Sequence, residues 1–210
     1  AKGARALKTF DLPMILCNVA LEIEPLLEPD FLQQTIDVCL HEVLDVFYRP
    51  ELGLIVENVS MDEARRQLEV NVFGLARLTQ LVLPSMRAQG SGRIVNVSSV
   101  AGKVVLSFGG WYNVSKFAVE ALSDALRIET KPFGIDVVMI EPSGIKTDWG
   151  IIAADTLSEC SAGTVYEESA EYESRIMRFA YGANFLSGPD AVTRSICRAV
   201  SARRPRLRYR

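Results

Sequence analysis

Two short apolar runs, each following a long helical pattern, constrain the fold of this sequence most strongly. Residues 94–97 and 135–140 lack the regular alternation of polar and apolar side chains, so each predicts a strand covered on both faces. The first helical pattern begins at the capping box Ser60-Met61-Asp62-Glu63 and extends to about residue 86, and the second covers residues 112–130. This order of elements predicts an α/β fold with a doubly wound parallel sheet of the Rossmann-like kind.

The remaining segments carry weaker patterns. Residues 30–47 predict a helix capped by Asp30, although residues 44–48 alternatively fit a strand. Residues 145–188 predict a long irregular segment, and a last helix is expected from Pro189 to about residue 201. A basic run follows, which we interpret as a solvated tail, with a patch for phosphate or an acidic membrane as the alternative. The run consists of Arg203, Arg204, Arg206, Arg208 and Arg210.

Composition excludes several classes of function. The chain has 210 residues and a net charge of -3, so its overall charge does not indicate a nucleic-acid partner. Its one histidine, His41, makes a histidine-based metal site or a serine-protease triad improbable. No apolar stretch reaches the length of a membrane span. The four cysteines form no Cys-x-x-Cys pair, which indicates reduced thiols and a cytoplasmic protein.

Three side chains form a pattern suited to proton transfer at a carbon-bound oxygen. Ser99 follows a predicted buried strand, at the sheet edge where ligands bind in open α/β folds. Tyr112 and Lys116 are four residues apart on a helix and therefore share one face. A nearby ammonium favours a phenolate over a phenol, which suits a tyrosine for acid–base work. A serine hydroxyl close by can hold the substrate oxygen against the tyrosine.

Further motifs agree with these residues in order and spacing. Asn71 lies in Asn-Val-Phe-Gly, Ser99 ends Asn-Val-Ser-Ser, and residues 142–147 read Pro-Ser-Gly-Ile-Lys-Thr. Together they resemble the short-chain dehydrogenase/reductase family over about residues 57–208. The resemblance implies a catalytic tetrad of Asn71, Ser99, Tyr112 and Lys116. In it the tyrosine transfers the proton, the serine orients the substrate oxygen, the lysine also binds the nicotinamide ribose, and the asparagine holds a relay water.

The same resemblance implies a cofactor, a substrate class and an assembly. The cofactor would be NAD(P)(H), with the choice between NAD and NADP open. Residues 148–188 would form a substrate lid whose apolar side chains suit a hydrophobic secondary alcohol or ketone, or alternatively pack as plain core. The helices over 61–86 and 112–130 would build a homodimer or homotetramer. The nicotinamide would be flanked by Pro142, Ser143, Ile145 and Thr147, and Ser143 stands where glycine is commoner in the family.

The family's nucleotide-binding signature is missing from the sequence. Neither the glycine-rich turn Thr-Gly-x-x-x-Gly-x-Gly nor Asn-Asn-Ala-Gly occurs. We therefore expect residues 1–56 to be a diverged or truncated nucleotide-binding half, followed by a catalytic half (57–147), the lid (148–188) and a C-terminal helix and tail (189–210). Two functions remain open: an NAD(P)-dependent oxidoreductase, or an inactive relative that acts as a binding or oligomerising module.

Overall fold

The computed structural model describes residues 54–183 and 186–210. The expected helix over 30–47, the alternative strand over 44–48, and His41 lie outside these residues. Within them the helices and strands are α1 (Met61–Leu68), a π-helical turn (Glu69–Gly74), α2 (Leu75–Gln89), β1 (Gly92–Val97), α3 (Gly110–Thr130), β2 (Ile135–Ile140), α4 (Trp149–Ser161), α5 (Glu167–Gly182), α6 (Asp190–Ser201) and β3 (Arg208–Tyr209).

The first long helical pattern is confirmed, with its capping box. The Ser60 backbone N–H donates to Glu63 at 2.9 Å, and the Glu63 backbone N–H donates to the Ser60 hydroxyl at 3.2 Å. The helix continues through the π-helical turn into α2. It ends at Gly90, whose φ of 67° lies in the left-handed region that glycine adopts without strain.

The strands form a parallel sheet in the order β1-β2-β3 within the described residues. β1 pairs with β2 from Gly92↔Ile135 to Val97↔Ile140. β3 joins the other side of β2 through Arg208 and Tyr209. Both predicted strands are thus confirmed, and the carboxyl ends of β1 and β2 lie side by side at one edge.

Helices cover both faces of this sheet. On one face Ile94 and Val137 pack with side chains of α2 and α3, among them Val82 and Leu126. On the other face Val138 and Ile140 pack with Val192 and Ala199 of α6. The neighbouring residues Val137 and Val138 therefore pack against helices on opposite faces of the sheet, which confirms the doubly wound α/β fold. No helix in residues 54–183 and 186–210 is long and apolar enough to cross a membrane.

The expectation of an irregular segment over 145–188 is wrong. Residues 149–161 and 167–182 form helices α4 and α5, which pack extensively on each other. The buried residues of α4 do follow a helical period, but small side chains carry much of it: Gly150, Ala153, Ala154, Thr156, Leu157 and Ser161. A pattern sought among large apolar residues does not reveal such a helix.

The interpretation of the final basic run as a solvated tail is wrong for Arg208, whereas Arg210 is ion-paired but remains mostly exposed. Arg208 is part of β3, and its guanidinium lies 2.8 Å from Glu141 and 2.7 Å from Asp124. Arg210 reaches the other oxygen of Glu141 at 2.7 Å. The Glu141 side chain is fully buried, so these pairs hold a charge inside the fold.

Candidate active site

Ser99 lies where the carboxyl ends of β1 and β2 meet. It precedes a short 3-10 turn, Val100–Gly102, and its hydroxyl accepts the backbone N–H of Ala101 at 3.1 Å. The same hydroxyl is 3.5 Å from the carbonyl oxygen of Pro142, to which the Val100 N–H donates at 2.9 Å. The predicted serine and the start of the predicted cofactor segment are therefore neighbours.

Lys116 joins the helix that carries Tyr112 to the end of β1. Its Nζ donates to the carbonyl oxygen of Val97 at 3.3 Å. That Nζ also lies 5.6 Å from the centroid of the Tyr112 ring, within the range of a cation–π contact. The tyrosine and lysine thus share one face of α3, as their spacing predicts, and this face is directed toward the edge that carries Ser99.

Asn71 contacts the same helix from the π-helical turn. Its Nδ2 donates to the hydroxyl of Ser115 at 3.0 Å, and that hydroxyl donates to the carbonyl oxygen of Tyr112 at 2.7 Å. Ser115 is fully buried. Asn71 is therefore linked to the backbone of Tyr112 through one intervening side chain, a link that the sequence analysis did not identify.

Asn113, also missed, fixes the loop between Ser99 and Tyr112. Its buried Nδ2 donates to the carbonyl oxygens of Ala101 at 2.7 Å and Val104 at 2.9 Å. Its Oδ1 accepts the backbone N–H of Leu106 at 3.2 Å. The side-chain amide therefore uses both of its donors and one of its two acceptor sites. They pair with backbone groups of the loop that have no partner in a strand or helix. The sequence signal that could have identified Asn113 was a polar side chain inside a predicted helix, next to a loop.

An aromatic contact brings α4 and α5 over Tyr112. Trp149, at the start of α4, lies 5.6 Å from the Tyr112 ring and 6.2 Å from the Tyr181 ring of α5, measured between centroids. Both separations are typical of favourable tilted aromatic pairs. Gly150 permits this approach, because a Cβ there would come within 2.1 Å of the Tyr181 ring. Trp149 and Tyr181 were not predicted as site residues.

The segment after β2 remains at the sheet edge. Ile145 forms a parallel bridge with Ser187, and the Lys146 N–H donates to the Ser187 carbonyl oxygen at 2.9 Å. The Thr147 hydroxyl donates to the Ile145 carbonyl oxygen at 3.5 Å, and Ser143 is exposed. The segment thus runs from Pro142, beside Ser99, to the bridge between Ile145 and Ser187.

Comparisons with known proteins agree with this arrangement. The sequence profile described as short chain dehydrogenase matches residues 52–155. VdlC of Helicobacter pylori, a probable short-chain type dehydrogenase/reductase, is 45% identical over 94 residues, which are 45% of this chain and 35% of that protein. The NADPH-dependent 3-dehydrocapnine reductase of Ornithobacterium rhinotracheale is 32% identical over 193 residues, covering 83% of this chain and 66% of the reductase. The chain belongs to the short-chain dehydrogenase/reductase family.

A solved short-chain dehydrogenase from Streptomyces avermitilis has the same fold, with a TM-score of 0.59 and 30% identity. The match covers 74% of this chain and 55% of that one. The chain spans between about a third and two thirds of the length of the two curated relatives named above. Among the residues that the structure describes, no group of three His, Cys, Asp or Glu side chains is arranged to hold a metal ion.

Proposed function

We propose that this protein transfers hydride between NAD(P)(H) and a hydrophobic secondary alcohol or ketone. One observation carries the proposal. Ser99 and the Lys116 ammonium lie at the carboxyl ends of β1 and β2, and the same ammonium lies over the ring of Tyr112. This is the edge at which doubly wound sheets bind ligands. Family membership supports the same chemistry.

Each residue has a distinct role in the proposed reaction. In the reductive direction the Tyr112 hydroxyl gives its proton to the substrate oxygen, and in the oxidative direction the phenolate takes it back. Lys116 stabilises that phenolate by its charge. Ser99 donates a hydrogen bond to the substrate oxygen, and Asn71 holds a water in the path that returns the proton to Tyr112.

The residues at this edge fit the nicotinamide and ribose end of the cofactor. When bound, the cofactor supplies or accepts the hydride. The Lys116 ammonium is a strong donor for ribose hydroxyls. Pro142, Ser143, Ile145 and Thr147 border the nicotinamide in the proposal, and their accessible polar groups can meet its amide. The NADPH dependence of the Ornithobacterium relative supports NADP(H) as one of the two choices to test.

The loop between Ser99 and Tyr112 supports an apolar substrate. Val104, Val105 and Leu106 are 60%, 71% and 52% exposed, and the loop that holds them is fixed by Asn113. Three consecutive exposed apolar side chains are unfavourable in water unless a ligand or partner covers them. We assign them, together with the lid of α4 and α5, to the binding of the apolar part of the substrate.

We also propose a homodimer or homotetramer built on α3. Exposed apolar residues recur along this helix at spacings of three and four, and they form one stripe. Val114, Phe117 and Ile128 are 48%, 41% and 66% exposed. If the protein proved inactive, the same stripe would favour the alternative of an oligomerising module. Light scattering of wild type and of Phe117→Ser tests the assembly, because loss of the stripe should shift the mass toward monomer.

The catalytic proposal is tested first by titration with NADH and NADPH, followed by nicotinamide fluorescence. We expect saturable binding of at least one cofactor and turnover of hydrophobic ketones. Tyr112→Phe should abolish turnover while leaving cofactor binding within a few-fold of wild type. The matched control is Tyr172→Phe on α5, which removes the hydroxyl of a 62% exposed side chain and keeps the apolar ring of the proposed lid. A folded protein that binds neither cofactor contradicts the proposal and favours the oligomerising module.

A further inference from the structure

A groove between α6 and β3 is lined by five arginines. It is open to solvent and has a volume of about 820 Å³, and its lining residues include no Asp or Glu. The arginines are Arg198 of α6 and Arg204, Arg206, Arg208 and Arg210 on the segment that leads into and follows β3. We call this feature the arginine groove. The chain as a whole carries a net charge of -3, so composition does not explain such a concentration of positive charge.

The five guanidinium groups differ in their partners. Arg208 and Arg210 are paired with Glu120, Asp124 and Glu141. By contrast, no carboxylate in residues 54–183 and 186–210 pairs with the guanidinium of Arg198, Arg204 or Arg206. These three positive charges border the same cavity without an anion to offset their mutual repulsion.

We propose that the arginine groove binds a phosphate-bearing ligand. Guanidinium groups present planar, paired donors that match the oxygens of a phosphate, and such charge-assisted hydrogen bonds are stronger than neutral ones. The hydroxyls of Ser195 and Ser201, also in the lining, donate to the carbonyl oxygens of Ala191 and Cys197 within α6, so the guanidinium groups are the donors that a phosphate would meet. The helix dipole explains the presence of Arg198 only, because this arginine lies in the last turn of α6, where a cation is favourable.

None of the proposed catalytic or cofactor residues lines the arginine groove, and its β3 side lies across β2 from β1 and Ser99. On its α6 side, Arg93 at the amino end of β1 donates to the carbonyl oxygens of Ala199 and Val200. Ser99 and Pro142 instead follow the carboxyl ends of β1 and β2. The inference therefore goes beyond the proposed reaction and does not depend on it. A second copy of this chain is not a suitable occupant when the same surfaces face each other, because arginines would meet arginines.

The test is calorimetric titration of the whole protein, free of cofactor, with inorganic phosphate and pyrophosphate at low ionic strength. A parallel arm measures co-flotation with vesicles of phosphatidylcholine alone and with added phosphatidic acid. Saturable binding that weakens with salt supports the proposal. If pyrophosphate binds more tightly than phosphate, the ligand is assigned as a free phosphate compound. If the protein floats only with the vesicles that contain phosphatidic acid, the ligand is assigned as a lipid headgroup.

Variants show whether the groove is responsible. Arg198→Gln/Arg204→Gln/Arg206→Gln should weaken binding at least about tenfold. The matched control is Arg65→Gln/Arg66→Gln/Arg175→Gln, which removes the same charge outside the groove and should bind like wild type. Far-UV circular dichroism checks that both are folded. Absence of binding by wild type, or equal loss in the two variants, overturns the inference. Tyr112→Phe should bind phosphate like wild type, so failure of the catalytic proposal can be distinguished from failure of the phosphate-binding inference.

Discussion

The indole ring of Trp149 lies 5.6 Å from the phenol ring of Tyr112, so the first residue of α4 covers the tyrosine proposed for proton transfer. The lysine side chain contacts the same ring from α3, with Nζ 5.6 Å from its centroid. Tyr112 is therefore held by α3 and by α4 of the proposed lid. The packing of α4 and the orientation of the phenol are coupled through this aromatic pair.

Replacing Trp149 should lower turnover through Tyr112. Trp149→Ala removes the ring that restricts the phenol, and we expect kcat to fall about tenfold or more because misplaced catalytic groups are costly. Trp149→Phe keeps an aromatic contact and should retain most of the activity. Steady-state kinetics with a hydrophobic ketone measure both. Equal kcat for wild type and Trp149→Ala in a folded protein would show that the contact does not position Tyr112.

Gly150→Ala should separate the two helices of the lid. The new methyl group would lie 2.1 to 2.3 Å from atoms of the Tyr181 ring, so α5 has to move. Overpacking of this kind costs about 1–3 kcal/mol, and we expect a lower Tm. Gly182→Ala is the control, because its Cβ would meet no atom within 4 Å. Thermal unfolding compares them, and similar Tm values would contradict the close packing of Tyr181 on Gly150.

Asn113→Ala should destabilise the loop between Ser99 and Tyr112. The substitution leaves the carbonyl oxygens of buried Ala101 and of Val104 without this donor, at a cost of about 1–3 kcal/mol in the free energy of unfolding. Urea denaturation measures this loss, and limited proteolysis should show earlier cleavage in residues 103–109. Asn58→Ala, at an exposed position, provides the reference and should unfold like wild type.

Glu141→Gln should weaken the attachment of β3. The change removes the buried carboxylate that accepts from Arg210 and pairs with Arg208, and loss of hydrogen bonds to a charged group costs about 1.5–3 kcal/mol. We expect a lower denaturation midpoint, with hydrogen exchange accelerated first at Met139 and Glu141, whose N–H groups donate to Leu207 and Tyr209. Glu168→Gln on the exposed face of α5 is the matched control. An unchanged midpoint would mean that the ion pairs add nothing to stability.

Cys160 should be alkylated slowly near neutral pH. Burial, and then the nearby carboxylates of Glu63 and Glu159, raise the pKa of its thiol above the ordinary value of 9.0. A raised pKa means a smaller thiolate fraction at any pH below it, and the thiolate is the reactive form. Peptide mass mapping with iodoacetamide should find exposed Cys197 modified before Cys160. The Cys160 rate should rise with pH beyond neutrality; a rate equal to that of Cys197 at neutral pH would refute this.

Local signals in the sequence were sufficient for the central elements. The capping box at Ser60 depends on residues three apart, and the strand over 135–140 is apolar because both sheet faces are covered. The pairing of Tyr112 with Lys116 follows from helix geometry alone. In each case the determining residues are close together along the chain, so the pattern could be read directly.

Other contacts depend on residues far apart in sequence and could not be predicted. Arg208 meets Glu120 across 88 positions, and a basic run offers no sign of which arginines find buried partners. The lid helices were missed because Ala153, Ala154 and Ala170 provide much of their buried faces. Small residues pack two helices closely, but they contribute little to a hydrophobic pattern. The roles of Trp149 and Tyr181 depend on that packing.

The pairing of Glu141 with Arg208 and Arg210 also sets an order for assembly during synthesis. Arg210 follows Glu141 by 69 positions, so β1, α3 and β2 leave the ribosome before either guanidinium has been made. Lys103 is nearer to Glu141 in sequence than either arginine is, and its Nζ lies 3.9 Å from Glu141 in the folded state. A carboxylate without close partners resists burial. We therefore expect the end of β2, and with it the backbone of Pro142 beside Ser99, to reach its final packing only after translation has passed β3.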